Sequence, residues 1–320
     1  MEPLTGPAAA RSRRIGLLMA FSCTLLWGFL AIVMKVASED VDSVTIVWFR
    51  FAFAFAVLGG VYLVRHPGDL RILIAPPLFG VLAAVALTSN YIGYMSGLAA
   101  TTPSFAQILI QAGPLLLAIG GVVLFGERLT KRQVFGGVLA IVGFGVFYWD
   151  QYGTAVVPRE TLRLGIGYLM FASVTWAGYA ILQKKLVGKG YAPQQLNLLL
   201  YALPALVLWP WADFASLGAL GVGGWVLMTF LGVNTLLAYG ALGEALKRLP
   251  AYQVSLIITC NPVITLSAME VLQVLEPSWL PPDGVGVLGY AGAALVLGGV
   301  AFVLLKAPRS SRPASPATTA

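Results

Sequence analysis

Apolar residues along this chain gather into runs of roughly 20, parted by short polar breaks, and each run is long enough for one membrane-crossing helix. The runs come as five and then five again. The spans are placed at 15–37, 44–64, 72–98, 103–125 and 133–149, then at 164–183, 193–211, 222–246, 250–274 and 284–305. The first set fills a unit at 15–150 and the second a unit at 162–306. A Pro-, Ser- and Thr-rich tail at 307–320 is expected to be disordered. The expected fold class is an all-α membrane protein of ten transmembrane helices. Five is odd, so the second set must enter the membrane from the opposite side to the first.

Composition agrees with this pattern. The chain is 58% hydrophobic and 10% charged, with a mean hydropathy of +0.85. An ordinary soluble domain carries far more charge. The net charge of +7 is explained by placement rather than by nucleic acid. With the spans above, only Lys35, Arg50, Arg159 and Arg163 of the 20 Lys and Arg residues fall on one side, and the other 16 collect on the opposite side. The positive-inside rule then puts both termini in the cytoplasm. Residues 1–14 are basic and run straight into span 1, without the short apolar core and cleavage site of a signal peptide. The two cysteines, Cys23 and Cys260, both lie mid-span, so neither a metal site nor a disulfide framework is expected.

The halves repeat each other. Trp27 and Lys35 in span 1 recur as Trp176 and Lys184 in span 6, 149 residues on. Tyr91 recurs as Tyr239 and Pro114 as Pro262, both 148 residues on. Glu127 answers to Glu276, and after a slip through the insertion at 277–283, Gly136, Leu139 and Gly143 answer to Gly292, Leu295 and Gly299. Matches in order at near-constant offset mark a duplication. Two oppositely inserted repeats are the architecture of a secondary transporter that opens alternately to each face.

The run from Pro114 through Gly126-Glu127-Arg128-Leu129-Thr130 to Gln133, Gly136 and Gly143 resembles the drug/metabolite transporter superfamily, in its EamA-type ten-helix members. Phe49-Arg50-Phe51 and Leu26-Trp27-Gly28 fit the same pattern. The second half departs from it where Glu276 is followed by Pro277. The resemblance implies a bacterial inner-membrane carrier of small metabolites, with export as the expected direction and a central cavity lined by helices 1, 3, 4, 6, 8 and 9.

Polar and aromatic residues within the spans are the candidate site. An amide or phenol facing lipid is costly, so these groups should point inward. They are Trp27, Asn90, Tyr91, Tyr94, Gln107, Gln111, Trp176, Tyr179, Asn234, Tyr239 and Asn261, with Gln253 beside them. Inward means either a substrate cavity or hydrogen bonds between helices. An aromatic, amide-lined site with little charge suits a small amphipathic solute such as an amino acid. Pro114 and Pro262 break the backbone hydrogen-bond ladder mid-span. They stand either as hinges or as static kinks.

Three charges lie within spans: Lys35, Arg50 and Glu270. Either Glu270 titrates and couples transport to protons, or it pairs with Arg50 or Lys35; the ion pair is the reading taken here. Lys35 is near enough to a helix end to snorkel. An intramembrane enzyme would need a nucleophile with a base, paired carboxylates or a His-rich metal site. The one histidine, His66, lies outside the spans, so no enzyme, metal or cofactor is expected. No GxxxxGK[ST] run is present, so energy would come from a gradient or exchange. A passive channel or structural membrane protein is the alternative reading.

Overall fold

The computed structural model describes residues 7–117, 130–154, 157–249, 251–275, 280 and 282–304. Residues 126–129, Glu276, Pro277 and the 305–320 tail lie outside the described residues, as do the side chains of Lys184, Lys247 and Gln253.

Every regular element among the described residues is a helix. The long ones are α1 (Pro7–Ala37), α2 (Ser43–Arg65), α3 (Leu78–Ala99), α4 (Pro103–Leu117, with a turn after Leu109), α5 (Lys131–Thr154), α6 (Arg159–Gly188), α7 (Pro193–Val207), α8 (Val222–Arg248), α9 (in two pieces, Ala251–Ile258 and Asn261–Leu275) and α10 (Val287–Leu304). Their starts follow local chemistry. Asp42 accepts hydrogen bonds from the Val44 and Thr45 amides and so caps α2. Thr102 caps α4, with Pro103 in the first turn, where no amide hydrogen is missed.

Several boundaries differ from the sequence expectation: α1 starts at Pro7 rather than 15, α5 runs to Thr154 rather than 149, and α6 covers Arg159–Gly188 rather than 164–183. Span 3 was expected from residue 72, but Arg71–Ile74 is a separate single turn and α3 starts at Leu78. Pro76 and Pro77 stop the helix there, because a residue before proline is pushed out of helical conformation. Span 7 was expected to reach 211, but α7 ends at Val207 and a tight turn follows at Trp209–Trp211. Eight of the described helices are long and apolar enough to cross a membrane. At 15 residues, α7 is about 22 Å long, short of a hydrocarbon core of about 30 Å. The described part of α4 is equally short.

The polarity of a soluble protein is reversed here. Leu18, Phe21, Leu25 and Phe29 form one exposed stripe on α1, and α5 exposes Val134, Val138, Ile141 and Val142. The interior instead holds Thr24, Thr45, Arg50, Asn90, Gln107, Gln111, Asn234 and Thr265. Such an arrangement is stable where the solvent is lipid and every interior polar group can find a partner.

The main helix pairs are α1 with α8, α3 with α6, α2 with α7, α5 with α10 and α1 with α9, with α4 on the second piece of α9. Exchanging each helix for the one five places away carries the α1–α8, α3–α6, α2–α7, α5–α10 and α4–α9 pairs onto one another, whereas the broad α1–α9 contact is answered only by a slight one between α4 and α6. The α3–α7 and α2–α8 contacts also exchange with each other. The α5–α10 seam is the closest. Side chains added at Gly136 would meet the Gly299 carbonyl, and at Gly143 the Gly292 carbonyl. Glycine is required at these two crossings because the facing atoms are backbone.

Candidate functional site

The centre of the bundle is organised around one stretch of α1, Leu26-Trp27-Gly28. The carbonyls of Leu26, Trp27 and Gly28 each accept a side-chain hydrogen bond from a different helix. The donors are Asn234 of α8 at 2.8 Å, Gln107 of α4 at 2.9 Å and Thr265 of α9 at 2.6 Å. Asn90 of α3 likewise donates to the Ala172 carbonyl of α6 at 2.8 Å. Gln111 donates to Asn261 at 3.3 Å, joining α4 to α9. The sequence left two roles open for these amides. In this structure all five spend a bond on holding helices together.

The aromatic candidates form a second layer. Tyr91 and Tyr239, equivalent positions in the proposed duplication, hydrogen-bond each other directly through their hydroxyls at 2.6 Å. Phe51 packs edge-on against Tyr91 at 4.8 Å, and Tyr201 lies 5.9 Å from Phe51 and 6.0 Å from Tyr239. These four rings, from α2, α3, α7 and α8, close into a circle. Trp27 stands edge-on to Tyr239 at 5.6 Å, and Tyr179 is buried in the same core. Tyr94 and Trp176 are half-buried against it. Phe51, Tyr201, Met34, Thr235 and Thr265 were not among the sequence candidates. A mid-span aromatic on α7 would have signalled Tyr201, had helices 2 and 7 been counted as lining.

Both proline sites interrupt their helices one turn upstream. In α4 the ladder tightens at Ile110–Gln111, where the Gln111 amide bonds the Ile108 carbonyl and Gly113 bonds Ile110. In α9 it tightens at Thr259–Cys260, where Cys260 bonds Ile257 and Val263 bonds Cys260. Pro114 and Pro262 cannot donate to the residue four back, and their rings crowd its carbonyl.

The expected ion pair is not formed. Glu270 is exposed and accepts a hydrogen bond from Tyr290 at 2.6 Å. Arg50 is only 1% exposed and is held by Thr235 and Met34. Lys35 does not snorkel: it is buried and donates to the Ala99 carbonyl at 2.7 Å and to Leu98 at 3.3 Å, capping the end of α3. Depth along a helix brought these three residues together on paper, but they point to different neighbours.

Next to that cap, the loop before α10 brings in Asp283. Its carboxylate accepts from the Ser104 hydroxyl and from the Ser104 amide at 3.3 Å, at the start of α4. Burial holds the Asp283 carboxyl above the usual carboxylate range, and the bonds from Ser104 and Thr102 oppose this. A raised folded value means that the stabilising contribution is complete below the unfolded value of about 4 and is lost as pH rises through the folded one. Asp283→Asn should therefore raise the melting temperature at pH 7.5 by roughly 2–4 °C, with the gain shrinking toward pH 4. Thermal unfolding at both pH values checks this, and a lower melting temperature at pH 7.5 would mean that the Ser104 bonds outweigh burial.

The geometry is thus a helical bundle with a buried polar and aromatic centre, edged by the half-buried Trp27, Tyr94 and Trp176. The profile of the EamA-like transporter family matches it twice, over residues 14–149 and 163–305. The chain belongs to the EamA-like transporter family. It is similar to the uncharacterized inner membrane transporter YhbE of Escherichia coli (strain K12), 31% identical over 90% of each chain. It is also similar, at 25% identity over 82% of this chain and 87% of the other, to a probable amino-acid metabolite efflux pump of the same organism. The aromatic amino acid exporter YddG of Ancylobacter novellus is 25% identical over 93% of this chain and 100% of its own. A solved crystal structure matches with a TM-score of 0.61 over 91% of this chain and 97% of that one, at 22% identity, and supports the fold alone. As an EamA-like transporter, this protein resides in the bacterial inner membrane and moves a small molecule across the lipid bilayer.

Proposed function

We propose that this transporter is a secondary active exporter of amino acids or closely related amphipathic solutes. It works by alternating access between two inverted five-helix repeats, residues 15–150 and 162–306, with both termini in the cytoplasm. The observation that carries the reading is the closed circle of Phe51, Tyr91, Tyr201 and Tyr239, in which Tyr91 and Tyr239 occupy equivalent positions of the two halves and bond each other directly. The doubled family match and the sorting of Lys and Arg support the duplication and the orientation. The names of the two exporters at 25% identity support the solute class and the direction.

In this reading the solute's apolar body lies against Trp27, Tyr91, Tyr94, Trp176, Tyr179 and Tyr239. The amides of Asn90, Gln107, Gln111, Asn234 and Asn261 exchange their helix-to-helix bonds for solute bonds as the bundle opens. Pro114 and Pro262 supply the bends. The solute drives the change only through different affinities for the two states.

The test is flux in proteoliposomes holding this protein alone, loaded with a mixture of amino acids, with and without a pH gradient. Saturable, selective efflux of some members is the expected result. Non-saturable flux of all of them would indicate a channel, and no flux would remove amino acids as the solute class. Flux indifferent to the gradient would remove Glu270 as a proton-coupling group.

A further inference from the structure

Among the described residues, Arg50 is the charged group that lies against the circle of rings, and its situation is unusual. Its guanidinium carbon lies 5.1 Å from the centroid of Tyr91, inside a core where Arg50 itself is 1% exposed. Its Nε–H donates to the Thr235 hydroxyl at 3.1 Å, and Nη1 meets the Met34 sulfur, a weak acceptor, at 3.0 Å. Its Nη2 has no hydrogen-bond partner among the described residues. None of the described carboxylates forms an ion pair with it. The three remaining acids, Glu2, Glu127 and Glu276, fall in the N-terminal segment or beyond the ends of the expected spans. The Tyr91 hydroxyl interacts with the Arg50 side chain as well as with Tyr239, but it is a neutral phenol and does not cancel the charge.

A buried charge without a counter-charge is costly, and in a membrane bundle such a group marks a ligand path. A purely structural position would be served better by an apolar side chain of similar length. Nη2 is without a partner and Nη1 has only the weak Met34 sulfur, and these are the two nitrogens at the tip of the fork. Two of its nitrogens can grip both oxygens of one carboxylate, and the planar group is already fixed by Thr235 and the Tyr91 ring.

Resting on the amino-acid reading above, we propose that Arg50 is the receptor for the solute's carboxylate. The solute then binds with its acid group on Nη1 and Nη2 and its apolar body along the aromatic circle. Molecules that keep the body but lack the acid are excluded. This separates zwitterionic and anionic solutes from the amphipathic cations that an aromatic cavity alone would accept.

The test uses the full chain in detergent and in proteoliposomes, with L-phenylalanine, L-phenylalaninamide, and chloride against gluconate as the probes, on wild type, Arg50→Met and Arg50→Lys. In wild type, phenylalanine should raise the melting temperature and move saturably, while the amide should do neither. Arg50→Met should melt higher than wild type without ligand, because the uncompensated charge is gone. It should also lose the phenylalanine shift and at least about tenfold of the flux. Arg50→Lys should keep part of both, because a point charge replaces the fork.

An Arg50→Met protein that melts lower without ligand would make the residue structural and overturn the proposal. So would a wild type that handles the amide as well as the acid, which decides the matter even if no variant folds. Chloride stabilising wild type but not Arg50→Met would make a halide, not the solute, the partner, and would overturn it as well. If wild type moves and binds neither phenylalanine nor the amide, the amino-acid reading fails. The ligand-free melting temperatures then decide: a rise in Arg50→Met keeps Arg50 as an anion receptor for another acid, and a fall overturns it.

Discussion

Leucine in place of Gly143 is expected to leave little folded protein. A Cβ at this position would stand 2.6 Å from the Val296 amide nitrogen and 2.8 Å from the Gly292 carbonyl oxygen. Both are backbone atoms, so no rotamer change can clear them and the helices must part. Overpacking where side chains can shift costs about 1–3 kcal/mol, and this site lacks that relief. The described part of α10 rests mainly on α5, so parting this seam detaches it. Size-exclusion profiles and melting curves of the solubilised protein give the readout. The control is nearby: a Cβ at Gly137 meets nothing within 4 Å, so Gly137→Leu should fold as wild type or better. Equal behaviour of the two variants would mean that the α5–α10 seam is not packed as described.

The second large effect falls on flux and not on folding. The breaks at Ile110–Gln111 and Thr259–Cys260 exist because Pro114 and Pro262 cannot continue the ladder. Proline within a helix costs about 3 kcal/mol, and alanine returns most of that to the straight form. If α4 and α9 bend differently in the two access states, the double change Pro114→Ala with Pro262→Ala favours one bend strongly. Every 1.4 kcal/mol of bias shifts such a balance about tenfold. The doubly substituted protein should therefore melt no lower than wild type while losing at least about tenfold of its flux. Wild-type flux with straightened helices would show the bends to be static kinks.

What the sequence revealed divides by physical cause. Eight of the ten expected spans coincide with helices long and apolar enough to cross a membrane, because lipid demands long apolar runs. Boundaries are less legible: hydropathy runs on across Pro76 and Pro77 before α3 and past Val207 after α7, while the backbone ends its helices there. The candidate residues were found by polarity within spans, and Asn90, Gln107, Gln111, Asn234 and Asn261 are indeed buried. Their partners were not legible. Four of these amides donate from one helix to another, three of them to main-chain carbonyls, and every residue type carries a carbonyl. Glu270 meets Tyr290 rather than Arg50 or Lys35, because sequence gives depth along a helix but not direction around it. Asp283 was passed over because it lies in a loop, where an acid ordinarily faces water.

The Tyr91–Tyr239 bond has a consequence for what can move. When two like halves trade shapes, any contact between equivalent positions is carried onto itself and so is the same before and after. Tyr91 with Tyr239 is such a contact, and the crossings of Gly136 on Gly299 and Gly143 on Gly292 are carried onto one another. Lys35 on Ala99 and Ser104 on Asp283 join unlike positions, and nothing in the exchange preserves them. Under the exchange proposed here, the tyrosine pair and the glycine seam form the stationary axle of the protein, and the work of opening falls to the rim.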